Sequence, residues 1–293
     1  MNPANLALSA TNKTVLEQLS CTKENQDIKG IIFDFDGVLS SFVERIGWPI
    51  LSSALMVKPD LSREQINDFS LTALDFLTTL EKKPKNTSLF KLAFNIGKQM
   101  GMTNFQALKF VFTTGIMYAK ARKTIVPTTG VRDVLRILLA ENYKVILVTN
   151  TSWGVINKAI EKIPELEKFD LILTRDDVDK IKPDASGFIK AIEILDLKAH
   201  EVITVGDQAS DIIAGKRAGM KTIAIYEKHM AIAKPHLKAQ NPDFLIRDLK
   251  EIPNILRYLR DCIIEDIRTT IDLTEKSLQE FVVDYNNHRN IAP

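Results

Sequence analysis

The chain reads as an α/β protein: a doubly wound, Rossmann-like parallel sheet core with an all-helical cap inserted after the first strand. Three observations predict this. Residues 30–36, Gly-Ile-Ile-Phe-Asp-Phe-Asp, have the length and β-branched content of a strand buried on both faces. From about Phe42 to Lys123 no strand pattern occurs, and apolar residues recur at helical spacing. After Pro127-Thr-Thr-Gly130, strand-like and helix-like runs alternate, which implies parallel strands covered by helices on both faces.

Residues 1–28 form a polar leader with one helix expected around Thr14–Ser20. The first strand follows at 30–36. Helices are expected at Ser62–Leu80, Ser88–Met100 and Asn104–Arg122, with Lys82–Ser88 and its Pro84 breaking two of them apart. The alternating part then reads as helix Val131–Glu141, strand Lys144–Thr149, helix Ser152–Lys162, strand Leu171–Thr174 and helix Ser186–Leu195. Strand Glu201–Val205, helix Ala209–Ala218, strand Lys221–Tyr226, edge strand Phe244–Ile246 and helix Leu249–Arg260 complete it. The expected division is a leader at 1–28, an α/β core at 29–41 and 124–254, a helical cap at 42–123, and a helical tail at 255–293. Leu256, Leu259, Ile263, Ile267 and Ile271 make an apolar stripe along that tail. It suits a helix docked on its own core, with a homodimer seam as the alternative.

Composition narrows the function. A net charge of +2 is too small for a nucleic-acid footprint. No run approaches the ~20 apolar residues of a membrane span, and Met1–Ser20 lacks a signal-peptide core. Two distant cysteines, Cys21 and Cys262, fit a reducing, cytoplasmic setting. None of the four histidines has a ligand spacing.

Four small signals follow one another: Asp34-x-Asp36-Gly37, Thr149-Asn150, Lys182-Pro183 and Gly206-Asp207-x-x-x-Asp211. Asp34 and Asp36 share one face of a strand end, at the sheet edge where open α/β folds bind ligands. Two carboxylates that close need a cation or a shared proton. Phosphoryl transfer uses all four signals, because its catalysis is positioning and charge neutralisation. Asp34 would attack phosphorus. Asp36 would protonate the leaving alkoxide and then deprotonate water. Mg²⁺, which prefers an octahedral oxygen shell, would bridge Asp34 and the phosphate. Its expected set is Asp34, Asp36, Asp207 and Asp211, with one main-chain carbonyl as ligand and Asp211 reaching it through a bound water. Thr149 would offer a hydroxyl and a backbone amide to phosphate oxygens, and Lys182 a positive charge to Asp34 and the phosphate.

Phe33-Asp34-Phe35-Asp36-Gly37-Val38-Leu39, Val148-Thr149-Asn150, Ile181-Lys182-Pro183 and Val205-Gly206-Asp207-Gln208-Ala209-Ser210-Asp211 resemble the four motifs of the haloacid dehalogenase (HAD) superfamily of phosphatases. The insert after the first motif resembles its helical-cap branch, which includes phosphoglycolate-phosphatase-like and β-phosphoglucomutase-like enzymes. The resemblance covers about residues 28–248. It implies phosphate binding by Asp36, Thr149, Asn150 and Lys182, a Mg²⁺ cofactor and a small phosphorylated metabolite as substrate. Asp184-Ala185 follow Pro183 where many relatives carry a second proline. A sugar phosphomutase and a non-catalytic binding protein are the alternatives; Asp36 argues against a dehalogenase or a phosphonate-cleaving enzyme. Phe69, Phe76, Phe105, Phe110 and Phe112 are expected in packing, with substrate contact as the alternative. Arg45, Arg122 and Lys123, near the cap hinges, are expected as surface charge, with contact to an anionic substrate as the alternative.

Overall fold

Ile31 and Phe33 pack on one side of a central strand and Ile32 on the other, and all three are fully buried. In the computed structural model, which describes residues 27–62, 65–66, 89–121, 124–226 and 233–260, that strand is β1, Gly30–Phe33. It lies between β2 (Lys144–Val148) and β4 (Val202–Gly206), parallel to both. β3 (Leu171–Leu173) extends the sheet beyond β2; β5 (Lys221–Ile225) and β6 (Phe244–Ile246) extend it beyond β4. The order β3-β2-β1-β4-β5-β6 is doubly wound. The chain leaves β1 toward β2 and later returns to its opposite side at β4. The crevice between the C-terminal ends of β1 and β4 is therefore the topological switch point.

Between β1 and β2 the described residues hold helices only: α1 (Trp48–Val57), α2 (Leu89–Gln99) and α3 (Asn104–Ala121). Ala54, Val57, Leu61, Ile96, Met100, Met102, Ala107 and Phe110 form an apolar cluster of their own. A π turn, Val43–Gly47, joins the β1 loop to α1. The two connections to the sheet run side by side. Ser41 N–H donates to Val126 O at 2.8 Å, Thr128 N–H to Leu39 O at 3.0 Å, and Ser40 bridges Pro127 in antiparallel fashion.

The sheet is covered on both faces. α4 (Val131–Ala140) turns Val131, Val134, Leu135 and Leu138 inward at three- and four-residue steps, and Ile156 and Ala159 of α5 (Trp153–Ile160) join them. Helix 252–260 adds Ile252, Ile255, Leu256 and Leu259 to the same face. Phe188 and Ala191 of α6 (Ser186–Ile194) and Ala214 of α7 (Ala209–Arg217) cover the other. A strand enclosed this way must be apolar throughout, which is why β1 and β2 read as continuous hydrophobic runs.

Several sequence boundaries move. β1 ends at Phe33, three residues early, because Leu39 and Ser40 N–H both return to the Phe35 carbonyl and close a loop there. α1 has no counterpart in the sequence reading; its Pro49 lies in the first turn, where a missing N–H costs no hydrogen bond. The expected helix Leu249–Arg260 begins as a tight 3₁₀ turn, Leu249–Glu251. Phe110 is buried as expected, but Phe105 and Phe112 are 77% and 61% exposed. Most of the expected helix Ser62–Leu80 lies outside the described residues. So do residues 1–26 of the leader, both cysteines, Phe69, Phe76, Arg122, Lys123 and the tail beyond 260. The homodimer expectation falls there too. No described helix is long and apolar enough to cross a membrane.

Candidate active site

Asp34 follows β1 directly, and its N–H still pairs with Val205 O of β4 at 2.9 Å. The neighbouring strand ends at Gly206, so Asp207 emerges beside it. Gly37, in the loop after β1, has φ +79°, and a Cβ built there would fall 1.8 Å from Oδ2 of Asp207. At Gly206 a Cβ would fall 2.1 Å from Cβ of Asp211. These two glycines let the β1 loop, the end of β4 and the first turn of α7 approach one another. As a result Asp34, Asp207 and Asp211 each offer an oxygen within 4.8 Å of the others.

Lys182 reaches this cluster from the loop before α6 and is 3% exposed. Its Nζ lies 2.7 Å from Oδ1 of Asp34 and 2.6 Å from Oδ1 of Asp211. The loop is held by Asn150: Lys182 N–H donates to Asn150 Oδ1 at 3.0 Å, and Asn150 Nδ2 donates to Lys182 O at 3.2 Å. The Asn150 side chain, expected on phosphate, is thus bound to the main chain of Lys182 and positions that lysine. Thr149 departs from expectation in a similar way. Its N–H is taken by Leu173 O at 3.0 Å, and its Oγ1 accepts from Thr151 N–H at 3.1 Å, so the hydroxyl proton is what it can still donate.

The Asp36 carboxyl is not one of the three that converge. Arg45 Nε donates to its Oδ1 at 2.6 Å, and Arg45 Nη2 donates to Oδ2. Thr151 Oγ1 also donates to Oδ2, at 2.6 Å. The side chain of Asp36 therefore contributes no oxygen to the metal-binding group, which leaves only its main-chain carbonyl for that expected role. Arg45, read from the sequence as surface charge, is 3% exposed. An Arg next to Glu44 near a hinge looks like a solvated side chain; its partner Asp36, nine residues back, becomes visible only in the folded structure, where the π turn lies beside the β1 loop. Thr151 was not singled out by sequence either, since a Thr after Thr-Asn reads as a helix N-cap.

The electrostatics call for a cation. Among the described residues, the ion pairs of Asp34, Asp36, Asp207 and Asp211 are with Lys182 and Arg45, so four carboxyls stand against two cationic side chains. Burial pushes the Asp207 carboxyl well above its ordinary range, and the charges of Asp211, Asp34 and Asp36 push further. Burial also raises Asp211, to about 6, with Lys182 opposing. Burial raises Asp36 against the pull of Arg45 and Thr151. For Lys182 burial favours the neutral amine, but Asp211 and Asp34 outweigh it and hold the lysine charged. Oδ1 of Asp207 is buried and accepts no hydrogen bond from the described residues. A hard divalent ion with carboxylate ligands would satisfy that oxygen and reverse the upward pull on the carboxylates, so the residues present fit Mg²⁺.

The profile of the haloacid dehalogenase-like hydrolases matches residues 31–225, a span that contains every one of these side chains. The chain belongs to the haloacid dehalogenase-like hydrolase family. Among relatives of this HAD-like chain, Pyrophosphatase PpaX of Bacillus cereus (strain B4264) is 33% identical over 126 residues, covering 43% of this chain and 57% of the relative. PpaX of Halalkalibacterium halodurans is 29% identical over 139 residues, 47% of this chain and 64% of the relative. The matches thus span somewhat more than half the length of these relatives. A predicted phosphoglycolate phosphatase from Haemophilus somnus 129Pt has the same fold, with TM-score 0.56 at 21% identity over 78% of this chain and 98% of the other. YfnB of Bacillus subtilis, bound to magnesium, gives TM-score 0.56 at 16% identity over 79% and 99%.

Proposed function

We propose that this HAD-like hydrolase is a Mg²⁺-dependent phosphatase that hydrolyses a small phosphorylated metabolite through an aspartyl-phosphate intermediate. The observation that carries this reading is the convergence of Asp34, Asp207 and Asp211 around one point, with Lys182 bridging Asp34 and Asp211. Asp34, Asp207 and Asp211 would hold the metal. When bound, the metal offsets the repulsion between Asp34 and the phosphate dianion. In the first step an Asp34 oxygen forms a bond to phosphorus, the ester P–O bond breaks, and Asp36 gives its proton to the departing oxygen. In the second, Asp36 takes a proton from water, the water oxygen bonds to phosphorus, and the bond to Asp34 breaks, releasing phosphate. Lys182 and the Thr149 hydroxyl donate to phosphate oxygens, and Asn150 fixes the lysine loop. Residues 42–123 act as a cap whose paired connections, 40–41 and 126–128, serve as its hinge.

The test is release of inorganic phosphate, with Mg²⁺ and with a chelator, from a panel of sugar phosphates, phosphoglycolate and, because of the names of its relatives, pyrophosphate. Metal-dependent release that Asp34→Asn abolishes is the expected result. Full turnover after rigorous chelation overturns the metal assignment. Isomerisation of a sugar phosphate without free phosphate identifies a phosphomutase instead.

A further inference from the structure

Asp36 has two oxygens, and its surroundings distinguish them. Arg45 donates to Oδ1 through Nε at 2.6 Å and to Oδ2 through Nη2. Thr151 Oγ1 donates to the same Oδ2 at 2.6 Å and accepts from Arg45 Nη2 at 3.2 Å, closing a ring of hydrogen bonds. The guanidinium carbon stands 5.5 Å from the centroid of the Phe35 ring, which supports it from below. A carboxylate offers about four lone-pair sites. Oδ2 already takes two donors, whereas Oδ1 takes one. A substrate oxygen can therefore share a proton with Oδ1 without displacing either partner, but not with Oδ2.

Resting on the phosphatase reading above, we infer that Arg45 is a positioning residue: with Thr151 it locks the Asp36 carboxylate so that Oδ1 is the atom that exchanges the proton with the leaving group. The planar fork is what orients the carboxylate, and a lysine in its place keeps the charge but cannot span both oxygens. Arg45 belongs to the π turn that leads into α1, and short π segments are frequent at functional sites. The same contact thus links the orientation of Asp36 to the segment on which the cap is mounted.

The variants are Arg45→Lys and Thr151→Val. Each is assayed with Mg²⁺ on p-nitrophenyl phosphate, whose leaving group needs little protonation, and on the best alkyl phosphate of the panel, whose alkoxide needs a proton. The quantity compared is kcat/KM, which reports only steps up to cleavage of the ester bond. Arg45→Lys is expected to lose about 10–100-fold on the alkyl ester but no more than about 3-fold on the aryl ester, part of what a positioned proton donor contributes. Thr151→Val shifts the ratio in the same direction by less. Equal losses on both esters would reveal a structural role and overturn the inference. A KM raised equally on both esters with unchanged kcat would make Arg45 a substrate-binding residue and also overturn it. Should Arg45→Lys not fold, Thr151→Val decides by the same ratio, since it removes one donor and no charge. Wild-type protein that cleaves no ester overturns the phosphatase reading and this inference with it; active wild type with an unchanged ratio in the variants overturns this inference alone.

Discussion

Gly37 and Asp207 occupy the same space but for one atom: a Cβ at Gly37 would lie 1.8 Å from Oδ2 of Asp207. The glycine also has φ +79°, which an L side chain adopts only at a cost of about 1–2 kcal/mol. In Gly37→Ala, the Asp207 carboxylate must shift from its present position beside Asp34 and Asp211. Metal affinity should fall about 10–100-fold, the scale of disturbing a ligand's support, as read from the Mg²⁺ concentration that gives half-maximal activity. Gly115→Ala in α3, where a Cβ meets nothing within 4 Å, is the control; it should raise stability by about 0.5–1 kcal/mol. An unchanged Mg²⁺ requirement in Gly37→Ala would mean that Asp207 is not a ligand.

Asn150→Ala removes both hydrogen bonds to the main chain of Lys182. The lysine then loses its fixed approach to Asp34 and Asp211. kcat should drop about 10-fold and the protein should lose about 1–2 kcal/mol, measured by steady-state kinetics and denaturant unfolding. A raised KM with kcat intact would place Asn150 on the substrate phosphate instead.

Glu165 shows how stability should depend on pH. Arg132 Nε lies 3.1 Å from both its oxygens, and Arg136 Nη2 lies 3.0 Å from Oε1. Burial by itself would raise this carboxyl, but its main-chain hydrogen bond and the two arginines outweigh burial and hold it below its ordinary value. A lowered folded value stabilises above the unfolded value, about 4.3, and that stability is lost as pH falls through the folded one. Glu165→Gln should therefore cost about 1 kcal/mol or less at pH 7, since both arginines are partly exposed and screened. The deficit should shrink in thermal melts below about pH 4. A deficit that stays constant into acid would mean that packing, not charge, is its source.

Residues 42–123 leave and re-enter the sheet unit through neighbouring strands of chain, since Ser41 and Val126 are hydrogen bonded at 2.8 Å. A short Gly-Ser linker can therefore replace the whole segment without moving its ends. The excised protein should keep Mg²⁺-dependent hydrolysis of p-nitrophenyl phosphate, cleave alkyl esters poorly because Arg45 no longer holds Asp36, and lose the preference among metabolites that the cap supplies. An excised variant that ranks the panel as wild type does would locate specificity in the sheet unit.

Much of this protein was legible because its strands are buried on both faces. β1, β2 and β4 appear as largely apolar runs, and each is followed at its C-terminal end by a polar site residue: Asp34, Thr149 and Asp207. The position of three of the four motifs at strand ends then suffices to place them at one edge, because parallel strands all end on the same side. α1 was not legible, since Ser52-Ser53 and Pro49 dilute its helical pattern and its burial depends on α3.

Local sequence determined the sheet, the order of the motifs and the identity of the four carboxylates, because strand burial and strand ends leave a pattern within a few residues. Only tertiary structure decided which partner each charge takes. Arg45 is paired with Asp36, Asn150 with the Lys182 loop, and Thr151 with Asp36 across 115 positions of chain. A buried charge is stable only beside its counter-charge or a donor, and that neighbour is set by how separate segments pack, which no local pattern records.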